Sequence, residues 1–361
     1  MSDSSRKYPL AKPPGHKPPV PRWTLEFESP SPLYTAYIGV QIHRQNADSD
    51  TERAFNSAIE AVQAWIKSAS SPERRIETFV HLEGDDIPGA IVWVVYWKNS
   101  TDYESSMKTL DLNTIYKSVH NTSIGLWSET FTTPVSRLET NYSGTDYLPG
   151  LARLPGSSTS EHTRTAYWGA ARDRIPDSGH DAFERLQREE EAPLDPVTLG
   201  KRISGTNSFD NIVHIRSGQF WGNCSNTEAE AYETKLEPAL REGLRYVWEN
   251  RQDSGAMGLR FLRNKHINIA GPDTEHEAKE TCAAGFFRNL EDLERWAKRH
   301  PSHLAIFNGA LRHAKEFGPE RKFRTWHEVS ILKKGEIKFE YVNCFPETGV
   351  LRFMKLEGED L

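Results

Sequence analysis

The chain has 361 residues, 37% of them hydrophobic and 27% charged, and a formal net charge of -6. With Lys and Arg scattered among Asp and Glu, no basic stripe is left to neutralise a phosphate backbone, which excludes nucleic acid as a partner. The longest apolar runs, such as Ala90–Trp97, fall far below the roughly 20 residues that a membrane-spanning helix needs.

In chain order, the first 30 residues carry a Pro-rich leader, Lys12-Pro13-Pro14-Gly15-His16-Lys17-Pro18-Pro19. Proline lacks the amide proton that helices and sheet interiors use, so this segment is expected to be an extended arm, disordered or wrapped around a partner subunit. It lacks the apolar stretch of a secretory signal, and the chain is expected in the cytoplasm. A strand at Tyr34–His43 leads to a helix from about Asp50 to Ser68, where Ala54, Ile59, Val62, Trp65 and Ile66 recur at helical spacing. Two strands follow, Ile76–Leu82 and Ala90–Trp97, joined by the turn-rich Gly84–Gly89. A helix is predicted from a Ser100/Thr101 cap, with Glu104 completing a capping box, to about Val119. A last strand lies within Ile124–Thr133, and the order β-α-β-β-α-β is that of a ferredoxin-like unit.

A connecting region follows. Gly144–Ser160 is rich in Gly, Ser and Pro, Thr163–Arg174 reads as one more strand, and Asp177–Ser204 is charged and loop-like. The earlier order then recurs: strand Asn211–Gln219, helix Glu228–Glu249, strands Leu259–Ile269 and Lys279–Phe287, helical segments Leu290–Arg299 and Pro301–Phe317, and strands Phe323–Leu332 and Ile337–Cys344. The expected architecture is α+β: an arm (1–30), a first ferredoxin-like half (31–145), a connection (146–210) and a second half (211–361). Two antiparallel sheets covered by helices would leave a cavity between a sheet and its helices. Such a fold names no chemistry by itself.

Cys224, Cys282 and Cys344 are odd in number and widely spaced, which fits reduced thiols better than a disulfide framework or a zinc site. No Cys-x-x-Cys-His occurs, so a haem would be held without thioether links. Among 13 histidines, His303 in His300-Pro301-Ser302-His303 stands out, because Pro301 suits the first turn of a helix and Leu304, Ile306 and Phe307 give apolar surroundings. An axial haem ligand needs a neutral imidazole in a dry pocket; a partly buried core histidine would look the same at this level. His327, in Arg324-Thr325-Trp326-His327-Glu328-Val329, shares a strand face with Thr325 and Val329. There it can serve as an acid or base, or pair with a cross-strand carboxylate. Arg172-Asp173-Arg174 reads either as functional or as a surface ion-pair cluster. Ser217 lies in the apolar Ile215–Trp221 segment without the Gly-x-Ser-x-Gly elbow of a hydrolase.

Several of these segments together resemble the aldoxime dehydratases, haem-b enzymes of nitrile metabolism. The matching stretches are Tyr167-Trp168-Gly169 with Arg172–Pro176, Ile215–Gln219, Leu293–Ala297 with His300–His303, His327–Val329, Phe339–Cys344 and Thr348–Arg352, in order from about residue 30 almost to the end. The resemblance implies that His303 is the proximal ligand of the haem iron, that His327 is the distal acid and base, and that Arg174 and Ser217 are distal partners of the substrate. Glu139 falls where the family carries a haem-pocket glutamate. It further implies ferrous haem b, an aldoxime substrate, aliphatic or aryl-aliphatic, a nitrile product, and a homodimer, with a flavin or other reductant left open. The rival readings are a haem carrier or sensor, which would not need Arg174, Ser217 and His327 on one side of the porphyrin, and a peroxidase-type haem enzyme, in which a distal arginine is also useful.

Overall fold

The computed structural model describes residues 6–28, 31–43, 48–68, 73–164, 168–184, 196–265 and 277–361. The parts of the predicted elements at 165–167, 185–195 and 266–269 lie outside the described residues. Trp23–Phe27 (β1) comes first, followed by Leu33–Ile42 (β2), Ser49–Ser68 (α1), Arg75–Gly84 (β3) and Ile91–Trp97 (β4). The single helix expected after β4 is two, Ser100–Thr109 (α2) and Leu112–Val119 (α3), because Asp111 caps the second through Thr114 N. The cap of α2 is Asn99, whose Oδ1 accepts from Asp102 N at 2.7 Å, in place of the expected Ser100/Thr101 box. Ile124–Thr133 (β5) ends this run.

The connecting region holds more structure than its composition suggests. Leu138–Tyr142 (β6), Ser157–Glu161 (β7) and Lys201–Thr206 (β8) are strands. The strand expected at Thr163–Arg174 is instead a 3-10 segment at Trp168–Arg174, broken at Ala170. Next come Ile212–Phe220 (β9), Asn226–Ala231 (α4), a π turn at Tyr232–Leu236, Glu237–Glu249 (α5) and Arg251–Ser254 (α6). The order continues through Ala256–Lys265 (β10), Glu277–Phe287 (β11), Leu290–Arg299 (α7), Pro301–Phe317 (α8), Arg324–Leu332 (β12), Ile337–Val342 (β13) and Glu357–Asp360 (β14).

The strands make one sheet, not two. Among the described residues its 14 strands run β14-β8-β13-β5-β2-β4-β3-β10-β11-β9-β12-β6-β1-β7, and neighbours are antiparallel. The first βαββαβ run lies in the order β5-β2-β4-β3 and the second in the order β12-β9-β11-β10, so both follow the sequence 4-1-3-2. They join because the edge strands β3 and β10 pair, from Arg260↔Gly84 to Asn264↔Phe79, which leaves neither edge open.

Alternation along each strand sends side chains to two different cores. On one face Ile38, Val40, Trp93 and Trp97 pack against Ala54, Ala58, Val62 and Trp65 of α1. The helix-free faces of the two runs share one core, where Tyr37, Phe79, Trp127 and Phe131 cluster with Leu262, Cys282, Phe286 and Trp326. On the outer face of the second run, Val213, Ile215, Leu259 and Val329 meet Leu240 and Leu244 of α5 and Leu293 and Ala297 of α7. Among the described residues no helix is long and apolar enough to cross a membrane.

Candidate functional site

A cavity of about 250 Å³ opens between the outer face of the second run and its helices. Its sheet wall carries Ser217 and Gln219 of β9, Ala283 of β11 and Thr325 and His327 of β12. The helical wall carries Leu240 and Leu244 of α5, Trp296 of α7, and His303, Ile306 and Phe307 of α8. The combination is the common one for a small-molecule site, mostly apolar with a few polar groups.

The local sequence explains how His303 is held. The His300 side chain caps α8 by accepting from Ser302 N at 3.3 Å, and Pro301 opens the first turn. Ser302 Oγ lies 2.8 Å from His300 Nδ1 and accepts from Trp296 Nε1 at 3.1 Å. Trp296 in turn sets its ring edge-on to His303, with centroids 4.8 Å apart. Burial pulls the His303 imidazole down to about 4, opposed only in part by the Ala297 carbonyl, so the ring is neutral at physiological pH. Its Nδ1 makes no hydrogen bond of good geometry.

On the opposite wall, β12 pairs with β9 so that His327 stands directly across from Ser217, while Ser217 faces Ala283 on its other side. Both polar side chains are half-buried and line the cavity. Gln219 donates to the Ser217 carbonyl at 3.2 Å and accepts from Thr281 Oγ1 at 3.2 Å, which fixes the strand next to the serine. Burial, and then the positive charges of Arg174 and Arg22, hold His327 well below the ordinary histidine range.

Arg174 and Glu139 stand beside the cavity without lining it. Arg174 Nε donates to Glu139 Oε1 at 2.5 Å, with both side chains buried. Glu139 lies on β6 opposite Val329, two places along from Asn141 opposite His327, so the ion pair shares a sheet face with His327. Burial raises the Glu139 carboxyl and the Arg174 charge opposes it. The surface-cluster reading of Arg172-Asp173-Arg174 is therefore corrected, because the three residues are directed to three partners. Arg172 pairs with Glu294 of α7 at 3.2 Å, and Asp173, 1% exposed, accepts the amides of Ala11 and Lys12 at 2.8 and 2.9 Å.

Those two amides belong to the N-terminal leader, whose place was not legible from its composition. Lys7 N and Tyr8 N bond the Gly179 carbonyl, and His16, Pro19, Val20 and Arg22 then form part of the cavity wall. The leader thus folds over its own chain, and its last residues enter the sheet as β1. Arg321 and the π-turn residues Tyr232 and Leu236 also line the cavity without having been singled out. Among the described residues no group of His, Cys, Asp and Glu is arranged to hold a bare metal ion.

The chain is similar to known proteins over nearly its whole length. A model of the haem-containing dehydratases matches residues 36–350. The phenylacetaldoxime dehydratase of Bacillus sp. (strain OxB-1) is 29% identical over 95% of this chain and 94% of its own length. The aliphatic aldoxime dehydratase of Pseudomonas chlororaphis is 30% identical over 93% of this chain and 92% of its own. A crystal structure of an aldoxime dehydratase in complex with butyraldoxime superposes with a TM-score of 0.80 at 27% identity, covering 98% of this chain and 96% of that one.

Proposed function

The chain belongs to the haem-containing dehydratase family, and on that premise we propose that it dehydrates aldoximes to nitriles, releasing water, in the cavity between β9–β12 and the α5, α7 and α8 helices. The observation that carries this reading is the placement of His303, His327 and Ser217 on facing walls of one apolar cavity.

The residues present suit a haem b. His303 offers a buried, neutral imidazole on a helix, with its ring oriented by Trp296, and the surrounding side chains are aliphatic and aromatic. The Ala297 carbonyl next to it is the kind of acceptor that commonly orients a ligating histidine. When bound, ferrous haem supplies an open coordination position for the oxime nitrogen and electron density for cleaving the N–O bond.

The remaining work falls to the protein. Ser217 holds the oxime oxygen by a hydrogen bond, which orients the leaving group, and Arg174, behind the wall on the sheet face of His327, adds positive charge that stabilises the negative charge developing there. The bond from Arg174 Nε to Glu139 fixes the plane of the guanidinium. His327 gives a proton to the departing oxygen, so that water leaves, and then takes the C–H proton as a neutral imidazole. The cationic, buried setting of His327 favours the neutral form, so its proton is taken up with substrate; once protonated it is a stronger acid than free imidazole.

The two βαββαβ runs are read as ferredoxin-like halves, 31–145 and 211–361, of a barrel-like unit bridged by 146–210, since each lays down its strands in the order 4-1-3-2. A homodimer in the cytoplasm is proposed with it; the three free cysteines suit a reducing compartment.

The test is an anaerobic visible spectrum of haem-loaded, dithionite-reduced protein before and after adding phenylacetaldoxime or an aliphatic aldoxime, with nitrile quantified in the same tubes. A Soret shift followed by nitrile and return of the starting spectrum is expected. A ferrous spectrum that ignores both aldoximes overturns the reading in favour of a haem carrier or a peroxidase-type enzyme.

A further inference from the structure

The cavity wall contains two arginines, Arg22 and Arg321, and no Asp or Glu among its described residues. Arg321 is only 6% exposed, and its Nε is buried without a hydrogen-bond partner. The nearby carboxylate that acts on it, Glu228, is already committed to the amides of Lys322 at 2.9 and 3.0 Å and Phe323 at 2.7 Å. Arg22 is half-buried, and the hydrogen bond its guanidinium makes is to the adjacent Pro21 carbonyl at 3.3 Å. Burial, and then repulsion from Arg321 and Arg174, pull Arg22 down to about 9. Burial, and then Arg324, pull Arg321 to about 10. Desolvated like charges that approach one another without an internal counter-ion are costly, and the cost is relieved when an anion enters.

We propose that Arg22 of the N-terminal leader and Arg321 before β12 form a carboxylate-binding pair that anchors the two propionates of haem, an inference that rests on the haem reading of this cavity. Haem matches the demand in number and kind. It carries two carboxylates on an otherwise apolar disc, and guanidinium groups bind carboxylates with charge-assisted, often bidentate hydrogen bonds. Asp173 sets the leader in place through Ala11 and Lys12, so Arg22 is presented by a segment that also walls the cavity. The leader is thus part of the cofactor site.

The experiment titrates full-length, haem-free protein with haemin, with iron-free protoporphyrin IX, and with the dimethyl ester of each, following Soret absorbance for the haemins and porphyrin fluorescence for the others. The iron-free pair reports on the propionates without the His303 bond. Unmodified protein is expected to hold each diacid at least about ten-fold more tightly than its ester. R22Q and R321Q are each expected to bring that ratio towards one, with R22K and R321K retaining part of it. Equal affinity for acids and esters in the unmodified protein, or an unchanged ratio in both glutamine variants, overturns the pair while leaving the haem reading intact. Failure of unmodified protein to take up haemin at all overturns both.

Discussion

The two βαββαβ runs share a strand order, yet one is filled and the other hollow, and the contrast can be read along a single row of side chains. In the first run Gly39 lies opposite Trp127, and in the second Gly218 lies opposite Trp326; at each glycine a Cβ would strike the indole. Each tryptophan begins a Trp-x-Glu segment on the fourth strand of its run and carries a buried guanidinium over its ring, Arg260 at 3.9 Å and Arg216 at 4.6 Å. With that register fixed, the row facing the helices is Trp93–Ile38–Ser128 in the first run and Ala283–Ser217–His327 in the second. A tryptophan and an isoleucine fill the space below α1 in one, whereas alanine and serine leave it open in the other. Function here follows from which side chains the shared register presents, and the backbone order is the same for both.

The largest expected effects come from removing what only the hollow run has. His303→Ala should yield folded protein without bound haem; an unchanged Soret band in the purified variant would remove His303 as the ligand. The converse substitution copies the filled row into the hollow one. Ala283→Trp with Ser217→Ile should abolish haem uptake while far-UV circular dichroism remains unchanged, and normal haem content in that variant would break the comparison. His327→Ser places at the second Trp-x-Glu segment the residue found at the first. It should keep haem and lower turnover by about 10²–10⁴-fold, the usual worth of a general acid and base.

The repeat of strand order was legible in the sequence because β2, β4, β5, β9 and β12 carry strong apolar or alternating runs bounded by turn residues. His303 and His327 were legible because each lies in a local pattern, a Pro-initiated helix turn and an alternating strand, that sets where the side chain points. What escaped was set by long-range pairing. The strand β6 escaped, although the resemblance had named its Glu139, because its composition is polar (Leu138-Glu139-Thr140-Asn141-Tyr142) and it is held between β1 and β12. The 3-10 segment at Trp168–Arg174 stands where a strand is expected, and the partners of its charged residues, Glu294, the Ala11 and Lys12 amides, and Glu139, lie far away in the chain. The role of the leader was hidden for the same reason, since a Pro-rich composition predicts extension and says nothing of the surface on which the arm rests.

The filled run should in turn be sensitive to loss of volume where the hollow one is not. Trp93 is 2% exposed, and Trp93→Ala should cost about 3–5 kcal/mol of stability through the cavity left beneath α1. Chemical denaturation of the haem-free protein measures this, and haem content should be unaffected. A loss below about 1 kcal/mol would mean that α1 settles into the gap and that the filled run is held less tightly than its packing implies.

The smallest effect concerns acid and the share of it that the first run carries. Burial, and then the Arg260 charge, pull His81 of β3 down to about 3, and burial pulls His43 after β2 down to about 4. Neither lines the haem cavity. In the unfolded chain both titrate near the ordinary histidine value of about 6.5, so below that pH the unfolded state binds more protons than the folded one. Their contribution is complete above about pH 6.5 and is lost as pH falls towards their folded values, so these two groups lower stability from pH 6.5 towards pH 4. Because these two groups lie outside the cavity, their share of the slope should be the same with and without haem, and His81→Gln should reduce the slope by an equal amount in both forms. A His81→Gln effect that disappears on haem loading would tie His81 to the cavity of the second run and dissolve this last difference between the two.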